Sequence, residues 1–385
     1  MVLSHTYFLN QLAINLLRLL VQNEPPQKNV IFSPHSLYTC LGTLQLAADG
    51  VTREEFVNVL GQNFVEPQYQ TILSDVLQFH ANVAVNYNCY MFIYNSLNET
   101  FQNIVNANLN AHLHPLNMLN KPGAAAAINQ CVNRTTLGVV PCVVSPQQIS
   151  SNDRLILVNA VFFRETWKIP FASVGILPFQ TRAGPIIPVQ MMQMTNTMKY
   201  LRDDPNGLTI FNLEYSNMRF FAMVILPDDP IMFMNFINSF TADQYYSILS
   251  TWVDSPVSLT FPRFDISSKS NLEEYMKKLG LVKVFDPIDA ELPLLSVHHT
   301  HLSKLTQTGR LIVNQNSTTA TNYDIGVFSS ALATPPIEVV VNKPFMFVIY
   351  DSISQAMIMT SLVGDPNGSG DPDPMEDCKT TESEE

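Results

Sequence analysis

Two hydrophobic periods alternate along this chain. Near its start Phe8, Leu12, Leu16, Leu19 and Leu20 fall on one face of a 3.6-residue repeat, with Thr6 placed to cap the helix and Pro25-Pro26 following its end. Val30-Ile31-Phe32 reads as an apolar strand that stops at Ser33-Pro34 and restarts as a helix carrying Leu37, Leu41 and Leu44 on one face. Asp49-Gly50-Val51-Thr52 is a turn and cap ahead of a helix from Glu54 to Leu60. Pro67 to Ala84 predicts an amphipathic helix, Tyr90 to Tyr94 a strand, and Phe101 with Ile104 another helix. Leu155 to Phe163, LILVNAVFF, is apolar throughout and suits a strand buried on both faces. Strands are expected again at Val189 to Met192, Met223 to Asp228 and Leu259 to Phe264, and a short helix from Leu272 to Leu281 ends at Gly280.

The stretch from Arg310 to Pro344 interrupts this regularity. Leu311, Val313 and Gln315 alternate with Arg310, Ile312 and Asn314 as in a strand, and Ile337 to Val341 are β-branched apart from Glu338. Between them Asn316 to Thr334 carries no Pro, one Gly and no settled period. A compact domain rarely keeps so long a connection unless it is a functional loop or disordered. Its first half, Ser317 to Asn322, is small and rich in hydroxyls, so it can run exposed or pair as an added strand.

A length of 385 residues by itself suggests two or three domains, and 46% hydrophobic residues can supply a large core. No Pro/Ser/Gly-rich linker divides the chain, so we read one α+β domain over residues 1–366. Residues 367–385 form an acidic tail, expected to be disordered, whose acids (Asp371, Asp373, Glu376, Asp377, Glu382, Glu384, Glu385) against Lys379 carry half of the formal charge of −12. No Lys/Arg cluster appears, which argues against nucleic acid and against heparin-like polyanions. Cys40, Cys89, Cys131, Cys142 and Cys378 are odd in number and without paired spacing, and read as reduced thiols. Met1 to Leu20 lacks the basic start and unbroken apolar run of a signal peptide and reads as a mature helix, which places the protein in the cytoplasm or outside the cell by an unconventional route. No stretch is long and apolar enough to span a membrane.

Catalytic patterns are missing. No Gly-x-Ser-x-Gly elbow occurs, and His298-His299-Thr300-His301, read as a strand, would send adjacent imidazoles to opposite faces. The methionines, such as Met191, Met192, Met194 and Met198, read as core filler. We therefore expect no enzyme, no metal and no cofactor.

Several segments resemble one family in one order. Val313-Asn314-Gln315-Asn316-Ser317-Thr318-Thr319-Ala320 resembles the hinge of the serpins, and Asn342-Lys343-Pro344-Phe345-Met346-Phe347-Val348-Ile349 resembles the segment after their reactive loop. Phe32-Ser33-Pro34-His35-Ser36 is similar to a serpin motif under the opening of the main sheet. Asn159, Ala160, Phe163, Trp167 and Phe171 match a further pattern, and Ile128-Asn129 to Gly138 another, with Cys131 where the family has tryptophan. The likeness covers Phe8 to Pro366.

The resemblance implies three β-sheets, about nine helices and an exposed reactive-centre loop on a monomer. It also implies a suicide substrate for a serine protease: the protease cleaves the loop, is held as an acyl-enzyme, and the cut loop inserts into the main sheet. Counting sixteen residues on from Gln315 places the reactive bond at Ala331-Leu332, with Ser330, Leu332 or Ala333 as neighbouring choices, and suggests an elastase- or chymotrypsin-like target. Gln315, Ser317, Thr318 and Ala320 form the hinge; Phe32, Ser33 and Ser36 support the sheet where it opens. Strand alternation sends Thr318, Ala320, Asn322 and Asp324 to the buried face. Asn322, Asp324 and Tyr323 depart from the family, as do Ser317 for the hinge glycine, Gln315 for the hinge glutamate and Gln307 for a histidine near the top of the sheet. These departures keep open the alternative of a non-inhibitory serpin, acting as substrate, chaperone or binding protein.

Overall fold

The run Leu155–Phe163 becomes strand β4 in the computed structural model, which describes residues 5–64, 85–94, 97–108, 111–163, 165–318 and 335–371. Its odd-numbered residues Leu155, Leu157, Val161 and Phe163 enter the main core, and its even-numbered Ile156, Val158 and Ala160 enter a second, smaller one. That two-sided burial is why the run has no amphipathic alternation. β4 is the middle of five strands in the order β11 (Phe264–Asn271), β12 (Leu302–Val313), β4, β2 (Val85–Tyr94), β3 (Ala111–Leu116). It pairs antiparallel with β2 and parallel with β12, the latter in register from Leu305↔Leu157 to Arg310↔Phe162.

Two helices cover the faces of this sheet. α5 (Lys121–Thr135), capped by the Asn120 side chain with Pro122 in its first turn, lays Ala124, Ala125, Ile128 and Val132 on the even face of β4. α2 (Pro34–Ala47) lies on the other side and is buried along nearly its whole length, its buried polar side chains hydrogen-bonded, as Ser36 is to Asn159, Thr39 to His35 O and Gln45 to Gln62 O. Ser33 caps it, accepting a hydrogen bond from Ser36 N at 3.2 Å.

A second sheet of nine strands has the order β1 (Val30–Phe32), β16 (Met357–Val363), β15 (Phe345–Asp351), β9 (Phe220–Pro227), β8 (Leu208–Glu214), β7 (Ile186–Asp203), β10 (Val253–Pro262), β14 (Ile337–Val340), with β6 (Ala172–Gln180) beside β7. The third is a two-stranded ladder of β5 (Glu165–Thr166) with β13 (Ser317–Thr318). The remaining helices among the described residues are α1 (His5–Asn23), α3 (Gly50–Leu60), α4 (Glu99–Asn108), α6 (Pro230–Ser239), α7 (Ala242–Thr251) and α8 (Glu273–Lys278). The α+β class and the three sheets agree with expectation.

Several local readings change. Thr6 lies buried inside α1 rather than capping it. Asp49 caps α3, which begins at Gly50, four residues before the expected start. His298 to His301 are not a strand: His299 Nε2 bonds Pro287 O and His301 Nε2 bonds Ser303 Oγ, and no group of three His, Cys, Asp or Glu among the described residues could hold a metal. Cys40, Cys89 and Cys131 are free thiols, but Cys142 is disulfide-bonded. No spacing in the sequence marks Cys142 for pairing, and Cys378, the fifth cysteine, lies outside the described residues. Of the tail expected from residue 367, the part to Asp371 is held on the body, where the Asp371 carboxylate accepts from Asn29 N and Ser267 N at 3.0 Å. The helix expected from Pro67 to Ala84 lies outside the described residues.

Candidate functional site

The head of the five-stranded sheet is where the hinge lands. β12 runs parallel to β4 as far as Arg310↔Phe162, and the chain then turns so that Ser317 pairs with Thr166 and Thr318 with Glu165. In this short ladder β13 runs antiparallel to β5, the segment that follows β4 in the chain. Three consecutive hinge carbonyls are held in place: Trp167 Nε1 donates to Asn314 O at 3.0 Å, Phe171 N to Gln315 O at 2.8 Å, and Trp167 N to Asn316 O at 3.0 Å. Trp167 is itself fixed, buried and stacked on Tyr215 with ring centroids 4.5 Å apart. Beneath the ladder the Glu165 carboxylate accepts from Ser216 Oγ at 2.8 Å and Asn217 Nδ2 at 2.9 Å. The hinge thus rests on a rigid aromatic and hydrogen-bonded platform.

Halfway down the sheet lies a buried polar cluster. Asn159 of β4 faces Gln307 of β12 across the parallel ladder, and the two are 0% and 1% exposed. Ser36 Oγ donates to Asn159 Oδ1 at 2.8 Å, Asn159 Nδ2 reaches Cys40 Sγ at 3.7 Å, and Gln307 Nε2 donates to Ser33 O at 3.2 Å. Ser33 Oγ donates to Ile358 O at 2.6 Å, tying the cluster to β16. Burial pushes the Cys40 thiol well above its ordinary pKa, so it stays protonated. Gln307 Oε1 is buried with no partner, and an orphaned acceptor of this kind costs about 1–3 kcal/mol. The uncut sheet therefore holds an unsatisfied oxygen at its centre.

The expected site residues divide into three groups. Gln315, Ser317 and Thr318 come together on the platform. Phe32, Ser33 and Ser36 come together under the centre of the sheet, with Phe32 in β1 against Thr360. Ala320 and the bond Ala331-Leu332 lie outside the described residues, as do Asn322, Tyr323 and Asp324. Two expectations are corrected. Gln307 sits at mid-sheet opposite Asn159, not near its top, and of the two hydroxyls expected to support the sheet opening, which residues of that type commonly use on backbone groups, Ser33 bonds Ile358 O while Ser36 bonds the Asn159 side chain. Asn159, Trp167 and Phe171 were visible only as members of a pattern. Asn159 had a sharper signal, a lone amide within nine apolar residues.

Beside this geometry stand the comparisons with known proteins. A family model described as Serpin (serine protease inhibitor) matches residues 8–366. Glia-derived nexin of Mus musculus is 26% identical over 353 residues, spanning 89% of this chain and 88% of that protein. The structure of native protease nexin-1 with heparin superposes with a TM-score of 0.85 at 22% identity, covering 94% of this chain and 99% of that one. The complex of thyroxine-binding globulin with thyroxine gives a TM-score of 0.83 at 21% identity, with the same coverage. The five-stranded sheet with its seated hinge and a family match over nearly the whole length agree, and the chain belongs to the serpin family.

Proposed function

We propose that this serpin inhibits serine proteases as a suicide substrate and that its target has an elastase- or chymotrypsin-like primary pocket. The supporting observation is the seated hinge. Ser317 and Thr318 run antiparallel to β5, the segment that follows β4, at the head of the β4–β12 pair, so a strand continuing from them would enter between those two. Insertion would replace one parallel ladder by two antiparallel ones, which are somewhat more stable per residue, and each net hydrogen bond adds about 0.5–1.5 kcal/mol.

The chemistry belongs to the protease. Its serine oxygen attacks the Ala331 carbonyl, the bond to Leu332 breaks, and the new amine leaves on the downstream segment. The ester that remains is trapped if insertion drags the protease away before water attacks it. The outcome is a ratio of two rates, and about 1.4 kcal/mol on either barrier changes it tenfold. A small residue such as Ala331 suits an elastase-like pocket, whereas cleavage after Leu332 would suit a chymotrypsin-like one.

The alternative, a serpin that is cut without trapping or that binds another ligand, draws on Asn322, Tyr323 and Asp324 in the loop and on the likeness to thyroxine-binding globulin. The heparin of the nexin-1 structure is not carried over, because this chain has 21 Lys and Arg against 33 Asp and Glu and no basic cluster. The disulfide at Cys142 favours the extracellular of the two expected locations. Incubation with pancreatic elastase and with chymotrypsin separates the readings. A denaturing gel should show an adduct of summed mass, and sequencing of the released peptide should begin at Leu332 or an adjoining residue. Clean cleavage without adduct supports the alternative.

A further inference from the structure

We propose that residues 365–371 are an edge guard, a strap that keeps the free edge of β11 from pairing with β11 of a second copy of this chain. The strap belongs to the uncut molecule and acts independently of loop cleavage.

β11 and β1 are the end strands of the five- and nine-stranded sheets, so each has one side with no strand beside it among the described residues. One carboxylate bridges the two. Asp371 accepts from Ser267 N of β11 and from Asn29 N, just ahead of β1, each at 3.0 Å. The same carboxylate takes Asn29 Nδ2 on both oxygens at 3.0 Å.

The rest of the strap is built to deliver that group. Asn29, only 3% exposed, takes Gly364 N and Asp365 N on its side-chain oxygen and gives Nδ2 to Asp365 O. The Asp365 carboxylate then accepts from Asn367 N at 2.9 Å and Ser369 N at 3.2 Å, which winds the segment about its own first residue. Two glycines permit the close fit. Gly368 has a φ of 65°, and a Cβ on Gly370 would stand 2.4 Å from Gln27 O. A Cβ on Gly368 would also stand 3.2 Å from Asp265 O, so the strap lies directly against the backbone of β11.

An uncovered edge is a template for another strand, and β11 is complementary to itself. Ser267 N points away from β12, so the backbone groups of Asp265 and Lys269, two positions either side, point away as well. A two-fold axis at Ser267 sets Ser267 against its copy and Asp265 of each chain against Lys269 of the other. Each such pair exchanges both of its N–H···O bonds, and opposite charges meet across the seam. Asp265 keeps Arg310 of its own chain, since its two oxygens have room for a further donor. Phe264, Ile266, Ser268 and Ser270 are buried on the other face of β11, so the core is undisturbed. A contact of this symmetry closes at two copies. The strap forbids it by occupying Ser267 N and standing over Asp265 O.

The test measures the mass of the uncut protein by light scattering after size exclusion, from dilute to concentrated samples. Wild type should run at the mass of one chain. Asp371→Ala removes the acceptor, and Gly370→Ala lifts the strap off Gln27 with the carboxylate kept. Each should double the mass as concentration rises, with the circular dichroism of wild type. If Asp371→Ala does not fold, Gly370→Ala decides alone. Two second-site changes made in a strap variant then identify the contact. Ser267→Pro removes the central N–H, a change tolerated at a sheet edge, and Lys269→Asp sets acids against acids; both should restore the mass of one chain. One-chain mass for the strap variants at every concentration overturns the guard. A two-chain species that survives Ser267→Pro and Lys269→Asp, or aggregates of no fixed size, overturns the pairing of β11 with its copy.

Discussion

Trp167 carries more of the site than any other single residue. Its ring nitrogen and its backbone nitrogen hold two hinge carbonyls, and its face is clamped by Tyr215. Trp167→Phe removes the indole hydrogen bond to Asn314 O and part of the buried ring area, a loss of about 2–4 kcal/mol expected as a lower urea midpoint of the uncut chain. A midpoint within error of wild type would show that the platform is dispensable. His112 and His114 make a second prediction at this scale. Both lie on the edge strand β3, stacked against Tyr90 and Phe92, and burial lowers their pKa values. With folded values below the unfolded one, the unfolded chain takes up protons first, so stability is full above about pH 6.5 and falls as pH drops through that range. The uncut protein should melt at a lower temperature at pH 5.5 than at pH 7.5, and replacing both histidines by Phe should narrow the difference. Residue identity was also where the sequence was hardest to read. Asn159 looked like a blemish in an apolar strand, and the bare oxygen of Gln307 depends on partners from three distant segments.

At the scale of elements the periodicities were a good guide. β4 could be recognised because burial on both faces removes alternation, and α2 because Ser33-Pro34 both ends a strand and opens a helix. What could not be seen was the partner of β13, which is two residues long and pairs with a segment some 150 positions away in sequence. So short a ladder has no period of its own, and the platform that holds it comes from elsewhere in the chain. Its importance can be measured. Thr318→Pro removes an N–H and fixes the backbone where the first residues of an entering strand must pair. The loop should still be cut with unchanged kcat/KM, while the fraction of protease trapped falls at least tenfold, equivalent to about 1.4 kcal/mol on insertion. Undiminished trapping would mean that entry does not begin at β13.

Across the whole molecule, β4 and β12 are neighbours now, yet they form a parallel pair within a sheet whose adjoining pairs β2–β4 and β11–β12 are antiparallel. On the mechanism proposed above, that arrangement would leave a more stable sheet available once the loop is cut. The cut chain should melt at least about 10 °C above the uncut one in buffer at pH 5, a shift that several added hydrogen bonds can supply. Equal melting would remove insertion from the account while leaving the fold in place. This long-range energetics was accessible to the sequence only through family likeness, because no local pattern records which strands stand side by side.

The position of the carboxy-terminal strands has a further consequence. β15 and β16 lie between β9 and β1, and every residue of both is buried. Scission at Ala331-Leu332 would create a fragment containing β14, β15 and β16, yet neither piece could diffuse away without dismantling a shared core. The nicked protein should elute from a sizing column as one particle and separate into two bands only after denaturation with a reducing agent, two polypeptides from a single gene product sharing one core.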